Sequence, residues 1–96
     1  MKIIFSNNFQ SSLQEIYEFI SIDSNERAHS FCQQIYNEIQ KLEFMPKRCR
    51  KSAIFDDENI RELIFKGYVV VFRLVDDEIR ILYIYKHNLP KIKDEK

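Results

Sequence analysis

The side chains best equipped for chemistry fall into two groups. The first lies in the C-terminal third, where Arg73, Arg80, Tyr85, Lys86 and His87 follow an upstream carboxylate, Glu62. Arginine and lysine stabilise an anion, and a histidine or tyrosine can move a proton, so this set suits either phosphate-ester cleavage or anion and partner binding. The second group is Lys47, Arg48, Arg50 and Lys51, four cations within five residues. They suit a phosphate or an acidic partner, although Asp56, Asp57 and Glu58 follow closely enough to neutralise them. Cys49 stands among these cations, which favour the thiolate, but no base or orienting group accompanies it and it reads as an incidental thiol. No metal-ligand spacing occurs, and neither a metal nor another cofactor is expected.

Most of these residues belong to Ile60–His87, the stretch richest in β-branched and aromatic residues. Turn signals at Lys66-Gly67 and Asp76-Asp77 divide it into three strands, an antiparallel meander. If both turns are centred on those pairs, Phe65 faces Tyr68, Val75 faces Glu78 and Arg73 faces Arg80. One face then carries Arg61, Leu63, Phe65, Tyr68, Val70, Phe72, Leu74, Ile79, Ile81, Tyr83 and Tyr85, and is the expected core. The other mixes charged and apolar residues: Ile60, Glu62, Ile64, Val69, Val71, Arg73, Val75, Glu78, Arg80, Leu82, Ile84 and Lys86. Opposed arginines repel unless screened, and Glu62, one diagonal step from Arg73, is the carboxylate expected to screen them. Arg61, at the rim of the apolar face, is expected to bond to helix ends or carboxylates.

Upstream, Lys2–Phe5 is a short β-prone segment that can join the sheet. Ser6 or Asn7 can cap a helix running to about Ile22, with Phe9, Leu13, Ile16, Tyr17 and Ile20 on one face. A second helix, capped by Ser24 or Asn25, carries Ala28, Phe31, Cys32, Ile35, Ile39 and Leu42 as its stripe. It ends near Phe44, because Pro46 disfavours helical geometry at Met45. His29 borders the stripe. The expected fold is α+β, in the order β-α-α-β-β-β, with a helical hairpin packed on one face of a small antiparallel sheet.

The chain has 96 residues, enough for one core and a single domain over 1–96, with 88–96 a loose polar tail. Fifteen basic residues balance fifteen acidic ones, so no global field attracts nucleic acid. Two cysteines are too few for a disulfide framework, and no apolar run is longer than Tyr68–Phe72, far short of a membrane span. A cytoplasmic protein without membrane contact is expected.

The segments LQEIYEFISIDSNERAHSFCQQIYNEIQKLEFMP and IRELIFKGYVVVFRLVDDEIRILYIYKH resemble the RelE/ParE superfamily of toxins from bacterial type II toxin–antitoxin systems, over about residues 3 to 88. The resemblance implies a toxin held inactive by a cognate antitoxin, as a homodimer or a toxin–antitoxin hetero-oligomer. It implies one of two targets. ParE-like members inhibit DNA gyrase; RelE-like members cut messenger RNA on the ribosome. The ribonucleases of this superfamily carry an arginine directly after the Gly-Tyr of the block and lysines on the preceding strand. Here those places hold Val69, Ile60 and Glu62. The I-R-E-L motif with Arg61, the E-I-Y-E-F-I helix and the N-E-R-A start of the next are ParE-like. A gyrase-binding toxin that acts without turnover is therefore expected. The alternatives are a ribonuclease using a displaced set, Arg73, Arg80, Tyr85, Lys86 and His87, and an inactive relative that only binds antitoxin.

Overall fold

A computed structural model describes residues 1–86. His87 and the tail lie outside the described residues. The chain forms β1 (Lys2–Phe5), α1 (Asn7–Ser21), α2 (Asn25–Gln40), two 3₁₀ turns (Lys41–Glu43 and Pro46–Arg48), β2 (Arg50–Lys51), β3 (Ile60–Phe65), β4 (Tyr68–Val75) and β5 (Glu78–Lys86). The strands form one sheet in the order β1-β5-β4-β3-β2. The meander is antiparallel as expected, whereas β1 runs parallel to β5, so the whole sheet is mixed. The short strand β2 lies within the stretch read as a loop, and it pairs antiparallel with β3 through Arg50–Glu62 and Lys51–Arg61.

Each turn follows from its residues. Lys66 and Gly67 both have positive φ, 51° and 83°, the requirement of a type I′ hairpin turn. Asp76 supplies positive φ (54°) at the second turn, a role that Asp tolerates better than most side chains. The helices begin at serine caps. Ser6 Oγ accepts from Phe9 N at 3.0 Å, and Ser24 Oγ accepts from Arg27 N at 3.1 Å.

The apolar stripes of both helices meet one face of the sheet. Phe9, Leu13, Phe31, Ile35, Ile39 and Leu42 pack there against Val70, Phe72, Leu74, Ile79, Ile81 and Ile84. Each such side chain contributes roughly 1.5–3 kcal/mol, so the layer is held by the sum and not by any one residue.

The predicted register holds from both turns until β5 reaches Leu82. Phe65 faces Tyr68, Val75 faces Glu78 and Arg73 faces Arg80, but Phe72 pairs with Ile81 while Val71 pairs with Tyr83. Leu82 is the extra residue of a β-bulge. A slip of one residue exchanges the two faces of everything beyond it. Ile84 therefore enters the core under the helices, and Tyr83 and Tyr85 move to the opposite face, the reverse of the sequence expectation. Lys86 changes sides with them, to the helix side beside Phe19 and Tyr68.

The bulge is held from the far end of the chain. Ser6 N donates to Ile81 O at 3.0 Å, and Ser6 Oγ donates to Leu82 O at 2.7 Å. Further along α1, Ser12 Oγ accepts from Ile84 N at 3.2 Å. Where β1 stops pairing with β5, the start of α1 takes over its hydrogen bonds.

Candidate functional site

The sheet face away from the helices carries most of the chemically equipped residues. It is not a bare polar surface. Ile60, Val69 and Val71 form a second small core there, with Leu82, Tyr83 and Tyr85 packed against it. Across the strands, one row on this face runs Arg50, Glu62, Val71, Tyr83, and the next runs Ile60, Arg73, Arg80.

Glu62 is the anchor of this face, with a fully buried side chain. A buried carboxylate must be paired and hydrogen-bonded to be tolerated, and Glu62 is. Its Oε1 accepts from Arg50 Nε at 2.9 Å, and its Oε2 accepts from Ser52 Oγ at 3.2 Å and from Ala53 N at 3.3 Å. The expected screening of Arg73 by Glu62 is thus replaced. Glu62 secures the start of the loop between β2 and β3, and the opposed arginines take other partners. Arg73 Nη2 lies 3.3 Å from Asp57 Oδ2, and Arg80 Nε lies 2.9 Å from Glu78 Oε1. The Asp57 carboxyl is held below the usual carboxylate range, first by the backbone N–H of Asn59 and then by Arg73.

The tyrosines complete the face. The rings of Tyr83 and Tyr85 are 5.9 Å apart. Burial, and then the nearby Glu62 charge, push both phenols up, so both remain protonated at neutral pH. Tyr85 pairs with Val69, four residues along β4 from Arg73, which is about 13 Å at 3.3 Å per residue. Tyr83, opposite Val71, is nearer the arginines. Sequence reasoning missed Tyr83 for this face, and the signal available was a break in alternation, since Ile81 and Ile84 are both core residues three apart.

Of the first predicted group, then, Arg73, Arg80 and Tyr85 share a face with Glu62, Lys86 lies on the other side, and His87 falls outside the described residues. The basic cluster is dispersed. Strand alternation in β2 sends Arg50 to Glu62, while Lys51 Nζ meets Glu58 Oε1 at 3.1 Å. Lys47 and Arg48 sit in the second 3₁₀ turn and line a hollow of about 640 Å³ with Met1, Phe44, Met45 and Leu74. Arg61 bonds to a helix end and not to a carboxylate: its Nη1 donates to Lys47 O and Cys49 O at the C-terminal end of the second 3₁₀ turn, both at 3.0 Å, and its Nε donates to Glu58 O at 3.0 Å. It ties the basic segment to the sheet. Burial pushes the Cys49 thiol up against the opposing pull of Arg48 and Arg61, the reverse of the expected lowering. Among the described residues, no three His, Cys, Asp or Glu side chains come together in a way that could hold a metal ion, and no helix is long and apolar enough to cross a membrane.

The arrangement of a helical hairpin on one face of a small sheet is similar to that of a solved structure titled "Chromosomal ParDE TA system from P. aeruginosa". The two superpose with a TM-score of 0.77 at 20% identity, over 92% of this chain and 97% of that one. No curated protein sequence matches the chain. The family model described as "ParE toxin of type II toxin-antitoxin system, parDE" matches residues 3–88. The fold is that of the small type II toxins. The chain belongs to the ParE toxin family.

Proposed function

We propose that this protein is the toxin of a type II toxin–antitoxin pair, that it acts by binding DNA gyrase, and that a cognate antitoxin neutralises it. The observation that carries this reading is the state of Ile60, Glu62 and Val69, where the ribonucleases of the superfamily present cations. Ile60 and Val69 are buried in an apolar cluster, and the Glu62 carboxylate is consumed by Arg50, Ser52 and Ala53. Cutting RNA through its 2′-hydroxyl needs a base and cations placed to stabilise a charged phosphorane. Here the two opposed arginines are each paired with a carboxylate, and both phenols are held in the protonated form. A face of arginines and tyrosines over apolar residues instead has the composition of a protein-binding surface.

Pulse labelling after tightly controlled expression tests the reading. DNA synthesis is expected to fall within minutes while transcripts stay intact, and the purified protein is expected to inhibit supercoiling by gyrase. Early loss of translation with cleaved transcripts would overturn it in favour of the ribonuclease, for which Arg73→Ala with Arg80→Ala would abolish the cleavage. A folded protein with no effect on growth would point to the antitoxin-binding relative.

A further inference from the structure

The buried Glu62 carboxylate holds a loop in place. Residues 52–59 join β2 to β3, and both shoulders of that loop are tied to side chains of the outer sheet face. At the first shoulder, Glu62 Oε2 accepts from Ser52 Oγ and Ala53 N, and Ser52 Oγ accepts in turn from Ile54 N at 3.1 Å and Phe55 N at 3.2 Å. At the second, Asp57 Oδ1 accepts from Asn59 N at 2.8 Å while its Oδ2 meets Arg73. Backbone bonds close the base, from Ser52 N to Ile60 O at 2.9 Å and from Ile60 N to Asp57 O at 3.1 Å. Surface loops are usually the mobile parts of a fold. This one is fixed at both ends.

What the loop presents is apolar. Between the shoulders stand Ile54 and Phe55, 61% and 40% exposed. Apolar residues scattered singly over a surface need no explanation, but these two are consecutive, are held by their own backbone bonds, and belong to neither cluster of the core. Folding gains little from them. A binding partner gains more, because a loop already ordered has little conformational freedom left to lose on association.

The charges narrow the kind of partner. Lys51 pairs with Glu58 and Arg73 with Asp57, so the shoulders are neutralised from within. Asp56, next to the tip, is the one carboxylate of the loop without a cation within 4.0 Å among the described residues. The complement of this tip is an apolar cleft with a cation at its rim. An enzyme that handles DNA carries such cations on its surface.

We infer that Ile54 and Phe55 are the anchors with which this toxin enters an apolar, basic-rimmed cleft of its target; the inference rests on the function proposed above, which makes that target gyrase. The ties to Glu62 and Arg73 set the loop over the same face as Tyr83 and Tyr85. Contact made at the tip can therefore continue onto the sheet.

Fluorescence anisotropy of the labelled full-length protein, titrated with purified gyrase in the absence of DNA, tests this. Ile54→Ser with Phe55→Ser is expected to raise Kd at least about tenfold, as loss of an anchor pair does. Asp56→Lys is expected to raise it about threefold by turning an attraction into a repulsion. Ser52→Ala leaves both tip side chains in place but frees Ile54 N and Phe55 N, and is expected to raise Kd about threefold through the cost of ordering the loop. Ile22→Ser removes an apolar side chain that is 80% exposed at the end of α1, and is expected to change nothing. Circular dichroism and thermal melts establish that each variant folds. A Kd for Ile54→Ser with Phe55→Ser within about twofold of wild type, an equal loss in Ile22→Ser, or tighter binding by Asp56→Lys would overturn the inference. So would a wild-type dimer in sedimentation that Ile54→Ser with Phe55→Ser makes monomeric, because a second copy would then be the occupant. Wild-type protein that neither binds gyrase nor inhibits its supercoiling would instead sink the proposed function, and the target named here with it.

Discussion

Replacing Glu62 tests whether the outer sheet face is organised around one buried carboxylate. In Glu62→Ala, Ala53 N and Ser52 Oγ lose their acceptor and the Glu62 methylenes no longer fill the space they occupy. Removing one member of a fully buried ion pair costs about 3–5 kcal/mol because the other is stranded. Arg50 is not stranded, since its side chain is 50% exposed and can turn to water. The cost should therefore fall near the bottom of that range, about 3 kcal/mol. Arg50→Ala leaves the buried Glu62 carboxylate without a countercharge, and because Ser52 Oγ and Ala53 N still donate to it and the lost guanidinium was half exposed, it too should cost about 3 kcal/mol. Once Glu62 is gone Arg50 has no buried charge to compensate, so a double-mutant cycle is expected to give a coupling of about 2–3 kcal/mol. At about 4–8 °C per kcal/mol for a domain of this size, each single variant lowers Tm by more than about 10 °C. Urea and thermal unfolding of the four proteins, with hydrogen exchange at the Ala53 amide, measure all of this. A coupling near zero, or a change below about 0.5 kcal/mol for Glu62→Ala, would refute the assignment of Glu62 as the anchor.

Four other outcomes follow from the same contacts. Ser6→Ala removes both the α1 cap and the bond to Leu82 O, and is expected to cost about 1–2 kcal/mol in urea unfolding. Gly67→Ala meets no atom within 4 Å, so its loss of about 1 kcal/mol comes from backbone strain at φ +83° alone, and Gly67→Asn should recover part of it. Asp57 has a folded-state pKa depressed by Asn59 N–H and Arg73, so its contribution is present above the unfolded value and is lost as pH falls through the folded one. The urea midpoints of wild type and Asp57→Asn should accordingly differ at about pH 6 and converge at about pH 2. Burial holds the Cys49 thiol protonated, so iodoacetamide at about pH 8 should label it far more slowly in the folded protein than in urea, as mass spectrometry of the two samples would show.

Much of the fold was legible in the sequence because its causes are local. Lys66-Gly67 and Asp76-Asp77 announce their turns within two residues, and the turns set the register across β3, β4 and the first half of β5. The serines that cap the helices sit next to them, and the helix stripes repeat every three or four residues. The bulge was not legible, because the groups that hold it are 76 and 72 residues away, in Ser6 and Ser12. The same distance effect scattered the basic cluster. Four cations in five residues look like one patch, but a two-residue strand turns Arg50 and Lys51 to different carboxylates, and Arg61 binds the backbone beside them instead of joining them.

That bulge decides what the outer face can offer. Without it, Leu82, Ile84 and Lys86 would extend the row of Arg80, and Tyr83 and Tyr85 would lie under the helices. With it, the phenols stand beside Glu62 and the arginines, and Lys86 joins Phe19 and Lys66 at the mouth of the helical layer. One inserted residue therefore separates two surfaces of different character. The outer face carries arginines already matched with carboxylates and tyrosines backed by a small apolar core, so a partner there gains chiefly from aromatic and guanidinium contact. The mouth carries cations with no carboxylate of their own among the described residues, so a partner there gains from bringing acid. On the function proposed above, these two surfaces would let one toxin meet two partners by different chemistry.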